Sequence, residues 1–383
     1  MISFPAIDQV LERAIASGEV PGVVAIAVTP DGVLYEGAFG SRELGKRSPI
    51  ALDTVFGIAS MTKAITVAAL LQLAERGLVA LDDPATRFLP ELAAIQVLDG
   101  FDAAGTPRLR QPRRGVGIRH LLTHTAGFAY PVWNADLHRY SRLPAGGPEV
   151  RQPPFVFDPG ERWEYGTNID WIGRIVERVS GQSLERYFRE HIFDRLGMTD
   201  TGFLLPPERM ARIATSHQRQ SDGSLRPIDV QRAERPPTFN GGGGLFSTGP
   251  DYARFLRMLL RGGELDGAAI LRPETVAAMG RNQIGPLNVC PLASFDAGRS
   301  NPIEFFPGTI AKWGFGGLIN ITDTPTGRSA GSWAWAGLAN TYFWVDSTRR
   351  VAGLLLTQIY PFRDHQVVTL LDEFERAVYA SIG

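Results

Sequence analysis

The chain has 383 residues, of which 44% are hydrophobic and 21% charged, a composition typical of a folded globular protein with a large core. Its formal net charge of −1 gives no sign of nucleic-acid binding, and no apolar run reaches the roughly 18 residues that a membrane span needs. The single cysteine, Cys290, excludes an intramolecular disulfide. The N-terminal residues lack a basic stretch followed by an apolar one, so we predict no signal peptide and a cytoplasmic location.

Hydrophobic periodicity predicts strands near both ends of the chain and mainly helices between them. The predicted helices cover residues 6–17, 63–76, 118–122, 168–180, 184–193, 250–261 and 364–380. The predicted strands cover residues 23–28, 33–38, 332–336, 341–345 and 351–358. Strands from both ends are expected to pair into one antiparallel sheet, which makes a linker between independent domains unnecessary.

The predicted fold class is therefore α/β plus α, with an antiparallel sheet flanked by helices and an inserted helical lobe. We predict a single domain over residues 1–383. Its α/β lobe would comprise about residues 1–58 and 305–383, and its helical lobe about residues 59–304. A pocket is expected at the boundary between the lobes, where the helix beginning near Ser60 would lie.

Ser60 and Lys63 form an S-x-x-K pattern at the start of a predicted helix. Residues three apart lie on the same helix face, so the hydroxyl and the amine should be neighbours. A serine needs an adjacent base to become an effective nucleophile, and an amine can act as that base whereas a guanidinium cannot. The chain contains only three lysines, Lys46, Lys63 and Lys312, so a lysine at this position is notable. The alternative is that Ser60 only caps the helix.

Two further segments carry groups that could complete a site. Tyr165 lies in a loop before a predicted helix, where its phenol could enter a cleft, although a packing role with a satisfied hydroxyl is the alternative. Residues 332–338 form a strand with small residues, which are typical of a close backbone approach, and its N–H groups could stabilise an oxyanion. A tightly packed sheet strand is the alternative there.

Three other patterns point less strongly to chemistry. Residues 327–331 match G-x-S-x-G around Ser329, but a nucleophile elbow needs a strand before it and a helix after it, and neither is predicted. His120 and His124 have a zinc-compatible spacing without a third ligand, so we predict capping and packing roles. Residues 241–244 are four glycines without the Lys-Ser/Thr of a phosphate-binding loop, which favours a tight turn.

Several segments in the same order resemble the serine β-lactamase and penicillin-binding-protein superfamily, and most closely its class C β-lactamase-like branch with the family VIII carboxylesterases. The resemblance runs from about residue 21 to residue 358. Besides the S-x-x-K, the matching segments are residues 51–59, 77–84, 118–127 and 242–248. It implies a β-lactamase/transpeptidase-like fold.

The resemblance also implies a function and a site. The chain would cleave carboxylic esters of small acyl groups through a Ser60 acyl-enzyme, without a metal or an organic cofactor. Lys63 and Tyr165 would move the Ser60 proton to the leaving group, and either could activate Ser60. The backbone N–H groups of Ser60 and Leu338 would form the oxyanion hole.

Two departures from the family pattern bear on the substrate. Trp335-Ala336-Gly337 stands where the lactamase branch has Lys-Thr-Gly, and it resembles the Trp-x-Gly of the esterases. That lysine helps to hold a β-lactam carboxylate, so strong β-lactam turnover is not expected. Thr167 occupies the Asn position of Tyr-x-Asn, and Asn168 follows it. The predicted substrate contacts are Trp335, Ala336, Gly337, Tyr130 and Trp133.

The predicted partner is a small-molecule ester, with no nucleic acid and no membrane, and the sequence does not indicate an oligomeric state. The alternatives among enzymes are a promiscuous β-lactamase, amidase or peptidase, and an acyltransferase that passes the acyl group to an alcohol. An alternative of another class is an inactive penicillin-binding-like protein that only captures ligands. The presence of Ser60, Lys63 and Tyr165 together argues against it.

Overall fold

A seven-stranded antiparallel sheet built from both ends of the chain forms the centre of the fold, in a computed structural model that describes residues 4–143, 153–230 and 238–383. Its strands are β1 (Gly22–Val28), β2 (Val33–Gly40), β11 (Ala311–Trp313), β12 (Leu318–Asn320), β13 (Trp333–Gly337), β14 (Thr341–Asp346) and β15 (Val351–Leu356). Their order across the sheet is β11-β12-β13-β14-β15-β1-β2. The predicted sheet and the fold class are confirmed.

Strand β1, next to the edge strand β2, shows how the two ends of the chain are joined. All seven of its residues are buried, because helices cover both faces of the sheet. It pairs with β2 on one side and with β15 on the other, where Val24 faces Leu356. The terminal helices α1 (Pro5–Ala16) and α11 (His365–Ser381) pack together on one face, and α9 (Gly249–Leu260) packs on the other.

Helices and short hairpins make up the middle of the chain. The helices are α2 (Thr62–Glu75), α3 (Ile118–Leu122), α4 (Ala135–Ser141), α5 (Asn168–Ser180), α6 (Leu184–Phe188), α7 (Asp194–Leu196), α8 (Pro207–Met210) and α10 (Pro273–Met279). The remaining strands are β3 (Phe56–Gly57), β4 (Val97–Phe101), β5 (Pro107–Arg110), β6 (Ser216–Arg219), β7 (Leu225–Ile228), β8 (Phe246–Ser247), β9 (Glu264–Leu265), β10 (Ala268–Ala269) and β16 (Ile359–Tyr360). Periodicity did not predict these short strands, which are two to five residues long.

Helix α2 is the most deeply buried helix near the expected site. Every residue from Thr62 to Leu73 is buried, so the helix is enclosed on all sides rather than along one stripe. It packs against α5, and the turn Ala59–Met61 that precedes it contacts β13 and β14. The start of α2 therefore lies between the sheet and the helical middle. The division into lobes at residues 58 and 305 stays a prediction, and α9, inside the predicted helical lobe, packs on the sheet.

The described part of the chain has no helix that is both long and apolar enough to cross a membrane.

Candidate active site

Ser60 lies in the single turn Ala59–Met61 that leads into α2. The spacing of S-x-x-K brings its Oγ to 2.9 Å from Lys63 Nζ, a hydrogen-bond distance. Ala59 has a left-handed φ of 42°, which costs a non-glycine residue roughly 1–2 kcal/mol. This backbone turn directs Ser60 toward an open cavity instead of into the helix packing.

Lys63 is buried and links Ser60 to two other parts of the chain. Its Nζ donates to the Gly242 carbonyl oxygen at 2.6 Å and to the Tyr130 hydroxyl at 3.2 Å. A neutral amine has two hydrogens and one lone pair. To accept the Ser60 proton, Lys63 must be in this form. Its two hydrogens can then stay directed to Gly242 and Tyr130, and the lone pair replaces the hydrogen that Nζ donates to Ser60 Oγ in the structure.

The four-glycine segment, residues 241–244, is a turn that also contacts Lys63. Its role in the site was not predicted from the sequence. The Gly242 N–H donates to Asp170 Oδ1 at 2.7 Å, and a Cβ on Gly242 would collide with that carboxylate. Only glycine therefore allows the Gly242 carbonyl and amide to contact Lys63 and Asp170 together. Burial raises the pKa of Asp170, and the nearby Lys63 opposes that rise. The run of glycines was the available sequence signal for such a close approach.

Tyr165 belongs to the same cluster, but the hydrogen bond of its hydroxyl is to β13. The ring centre lies 4.9 Å from Lys63 Nζ, while the hydroxyl accepts a 3.0 Å hydrogen bond from Trp335 Nε1. The tyrosine hydroxyl that contacts Lys63 is that of Tyr130, which we had predicted only as a substrate contact. Burial, with the negative charge of Asp170 and the neighbouring Tyr165, raises the pKa of Tyr130 well above its ordinary value.

The predicted contacts on β13 are buried in the sheet. Trp335 is buried between Trp313 and Tyr165, at ring-centre distances of 4.6 and 4.8 Å, because these aromatic rings pack edge to face. Trp335, Ala336 and Gly337 are not among the described residues that line the Ser60 cavity. Trp335 instead orients Tyr165 through its indole N–H.

The cavity that contains Ser60 has a volume of about 450 Å³. Tyr130, Trp133 and Leu338 line it, and Trp133 Nε1 donates to Ser300 Oγ at 3.0 Å. Its described lining residues are Ala59, Ser60, Tyr130, Pro131, Val132, Trp133, His138, Ser141, Arg142, Asn240, Gly242, Gly243, Gly244, Asp296, Arg299 and Leu338. The volume lies in the usual range for small-molecule sites.

The expected oxyanion hole requires two backbone N–H groups beside Ser60 Oγ. Ser60 is in the first turn of a helix, where N–H groups have no intrahelical acceptor. Leu338 follows the end of β13, which approaches so closely that a Cβ on Gly337 would collide with the Ile58 carbonyl. Ser60 and Leu338 thus share one cavity, and the hole itself remains a prediction.

His124 holds the loop that carries Tyr165. Its backbone oxygen accepts from the Glu164 N–H at 2.9 Å, and its Nδ1 lies 3.4 Å from the Gly166 nitrogen and 2.9 Å from Asn168 Nδ2. Because both neighbours are donors, Nδ1 is the acceptor and the ring hydrogen is on Nε2. The ring also packs 4.9 Å from that of Tyr165. The Asn168 side-chain amide is therefore hydrogen-bonded to His124, and this buried residue does not line the cavity.

The weaker sequence patterns have ordinary structural explanations. His120 Nδ1 accepts from the Gly117 N–H at 3.1 Å, as a cap of α3. Ser329 lies between β12 and β13 with no helix after it, so the geometry of a nucleophile elbow is lacking around it. Its backbone N–H donates to Asp346 Oδ2 at 2.9 Å.

Sequence comparison places this site in a known family. Residues 7–373 match the Beta-lactamase family. The chain belongs to this family. It is 36% identical to a monacolin J acid methylbutanoyltransferase of Aspergillus terreus, over 97% of this chain and 95% of that protein. It is 32% identical to a lovastatin esterase of Penicillium rubens, over 97% of each.

Structural comparison agrees with this assignment. The solved structure of unliganded simvastatin synthase from Aspergillus terreus superimposes with a TM-score of 0.87, at 34% identity and with 98% of this chain and 97% of that one covered. The chain is therefore an enzyme of the serine β-lactamase-like superfamily, with acyltransferases and an esterase among its relatives.

The two tyrosines of this β-lactamase-family site can be separated by removing one hydroxyl at a time. Tyr165→Phe should lower kcat about 100-fold, the usual contribution of a proton-transfer group. The Tyr165 hydroxyl is bonded to Trp335 in the free enzyme, but catalytic hydrogen bonds often form fully only when substrate is bound. Tyr130→Phe should lower it about tenfold or less, since it removes one hydrogen bond to Lys63. Ester hydrolysis and thermal unfolding measured on both variants check this. The opposite ranking would assign the proton transfer to Tyr130.

Acid should destabilise this β-lactamase-family protein through His124. Burial, with the nearby Lys63, holds the pKa of His124 well below its ordinary value, so the folded protein keeps the ring neutral. Below about pH 6.5 the unfolded chain binds a proton that the folded chain does not, and stability falls as the pH falls.

His124→Asn keeps an acceptor and suits the left-handed φ of 57° at this position. The dependence of unfolding free energy on pH should become shallower by up to about 1.36 kcal/mol per pH unit. Urea unfolding of both proteins at several pH values between 5 and 7.5 measures it. His120 and His217 also have a lowered pKa, but they are present in the unaltered protein and in the variant and so contribute equally to both curves. If the unfolding free energy of the variant depended on pH as that of the unaltered protein does, the role of His124 would be contradicted.

Proposed function

We propose that this enzyme transfers an acyl group from an ester to a hydroxyl acceptor through a Ser60 acyl-enzyme. The observation that carries the proposal is the Ser60 Oγ–Lys63 Nζ distance of 2.9 Å, with Ser60 lining an open cavity. Relatives over nearly the full length are named as acyltransferases and as an esterase. Both names describe the same first half-reaction, and they differ in the acceptor.

In the first half-reaction, Ser60 Oγ attacks the ester carbonyl carbon while its proton passes to Lys63. The N–H groups of Ser60 and Leu338 would stabilise the oxyanion of the tetrahedral intermediate. Cleavage of the C–O bond then returns the proton to the leaving alcohol, with Tyr165 or Tyr130 beside Lys63. The second half-reaction reverses these steps with an acceptor hydroxyl, and Ser60 regains its proton.

A family VIII carboxylesterase is the second candidate function. The Trp335-Ala336-Gly337 segment and the lovastatin esterase relative support it. In this case water, rather than an alcohol, would take the acyl group from Ser60 in most turnovers. An inactive ligand-capture protein is disfavoured, because such a protein has no need for a buried lysine in contact with Ser60.

The acceptor can be decided by product partition. The enzyme is supplied with p-nitrophenyl butyrate and increasing concentrations of a primary alcohol, and chromatography measures the butyrate ester and free butyrate. Acyl transfer predicts that the ester dominates while the alcohol is far more dilute than water. If free butyrate were the sole product at every alcohol concentration, acyl transfer would be contradicted and the esterase function would replace it. Ser60→Ala serves as the control for the uncatalysed reaction.

Esters should also be far better substrates than a β-lactam. The chain has Trp335 where a lysine would hold the β-lactam carboxylate, a charge-assisted contact worth roughly 1.5–3 kcal/mol. Its loss corresponds to about one to two orders of magnitude in kcat/KM. Parallel measurements with p-nitrophenyl butyrate and nitrocefin test this. Equal values, or a preference for nitrocefin, would support the β-lactamase alternative.

A further inference from the structure

A second cavity of about 290 Å³ lies next to the one that contains Ser60. The two cavities share Ala59, Asn240 and Gly244 as wall residues, so they meet directly beside the nucleophile. The described lining of the second cavity consists of Gly57, Ala59, Phe203, Val230, Thr238, Asn240, Gly244, Leu245, Phe246, Gln358 and Tyr360. No role follows for this cavity from the proposed reaction alone.

The two cavities differ in chemistry. None of the described residues lining the second cavity is charged, and Phe203, Leu245 and Phe246 are among its apolar residues. The Gln358 amide nitrogen already has two protein partners, because Nε2 donates to the carbonyl oxygens of Gly57 and Thr357. The Ser60 cavity, in contrast, carries Arg142, Arg299, Asp296 and His138 along its lining. A neutral aliphatic group fits the second cavity better than the first.

The position of the proton-transfer groups decides which substrate part enters which cavity. The acceptor hydroxyl must reach the same base that receives the Ser60 proton, and Tyr130, which contacts Lys63, lines the Ser60 cavity but not the second one. The leaving and accepting alcohols therefore occupy the Tyr130 side. The acyl chain, bonded to the same carbonyl carbon, must leave in another direction.

We propose that the second cavity binds the aliphatic chain of the acyl group and limits its length. This inference rests on the proposed acyl-enzyme function. The volume is at the low end for small-molecule sites, which suits a short acyl chain rather than a long fatty acid. Phe203 forms a firm wall, because its ring is buried and stacks on Phe188 with ring centres 5.8 Å apart.

Two matched substitutions separate the cavities. Val230→Trp fills the second cavity from a half-buried position, and Val132→Trp makes the same change in the Ser60 cavity. The substrates are p-nitrophenyl esters of acetate, butyrate, hexanoate and octanoate, with and without a primary alcohol. Val230→Trp should lower kcat/KM for the octanoate at least tenfold relative to the acetate. Val132→Trp should instead reduce transfer to the alcohol and affect all four chain lengths alike.

A third variant tests the opposite direction. Phe203→Leu enlarges the cavity and should move the preferred chain length upward. If Val230→Trp does not fold, Thr238→Trp fills the same space from an exposed position. An unchanged chain-length profile in the filled and enlarged variants would overturn the acyl-chain assignment. Failure of the acyl-enzyme itself looks different: no ester would be turned over, and mass spectrometry would find no acyl group on Ser60 in the unaltered enzyme.

Discussion

Ser60→Ala should lower kcat for ester turnover by roughly 10⁶-fold, the cost of removing the serine nucleophile from a serine hydrolase. Alanine keeps the helix start and the cavity but leaves Lys63 with no hydroxyl to deprotonate. Covalent catalysis is lost altogether, because no other serine hydroxyl is recorded in contact with Lys63 in the described part of the chain. A fluorophosphonate probe followed by peptide mass spectrometry should label the peptide that contains Ser60.

Ser329→Ala is the matched control, since Ser329 lies in the other nucleophile-like motif and is not among the recorded hydrogen-bond partners of Lys63. This variant should retain near-normal turnover and labelling. Labelling that persists in Ser60→Ala and disappears in Ser329→Ala would require a different nucleophile and would remove the basis of the proposed mechanism.

Lys63→Arg should reduce kcat by about two orders of magnitude or more, the usual contribution of a general base. Arginine preserves the positive charge but does not give up a proton under these conditions. The larger guanidinium must also fit between the Gly242 carbonyl and the Tyr130 hydroxyl, where Nζ has hydrogen bonds of 2.6 and 3.2 Å. Lys63→Met removes both charge and amine, and should be at least as impaired.

Lys312→Arg provides the control for the same chemical change elsewhere. Lys312 Nζ donates to the carbonyl oxygens of Gly285 and Leu287, contacts that a guanidinium can also make. Its turnover should stay close to that of the unaltered enzyme. If Lys63→Arg were equally active, Lys63 would act as a fixed charge, and the proton of Ser60 would have to pass to another group.

The local part of the site could be predicted from sequence, and the long-range part could not. Ser60 and Lys63 are three residues apart on one helical turn, so helix geometry alone places them together. Tyr130 reaches Lys63 from 67 residues away through a loop, and no periodicity encodes that contact. The side-chain direction of Trp335 likewise depends on its packing against Trp313 and Tyr165.

The same distinction applies to the fold. The long apolar runs that became β1, β14 and β15 predicted the sheet, because only a strand buried on both faces tolerates such continuous hydrophobicity. The strands β11 and β12 have three residues each, too few for an alternating pattern to be recognised. Their place at the sheet edge follows from the pairing of β12 with β13 and of β11 with β12, which is information outside their own sequence.

The pairing of β1 with β15 has a consequence for how the protein is made. On a ribosome, β1 emerges early, yet the strand that occupies one of its edges becomes available only when residues up to Leu356 have been synthesised. Contacts so distant in sequence form slowly, and an apolar strand with an open edge is prone to aggregate in the meantime. Nascent chains of this enzyme should therefore depend on chaperones. A chain that stops before Val351 contains Ser60, Lys63 and Tyr165 but has no β15 to complete the sheet that supports them.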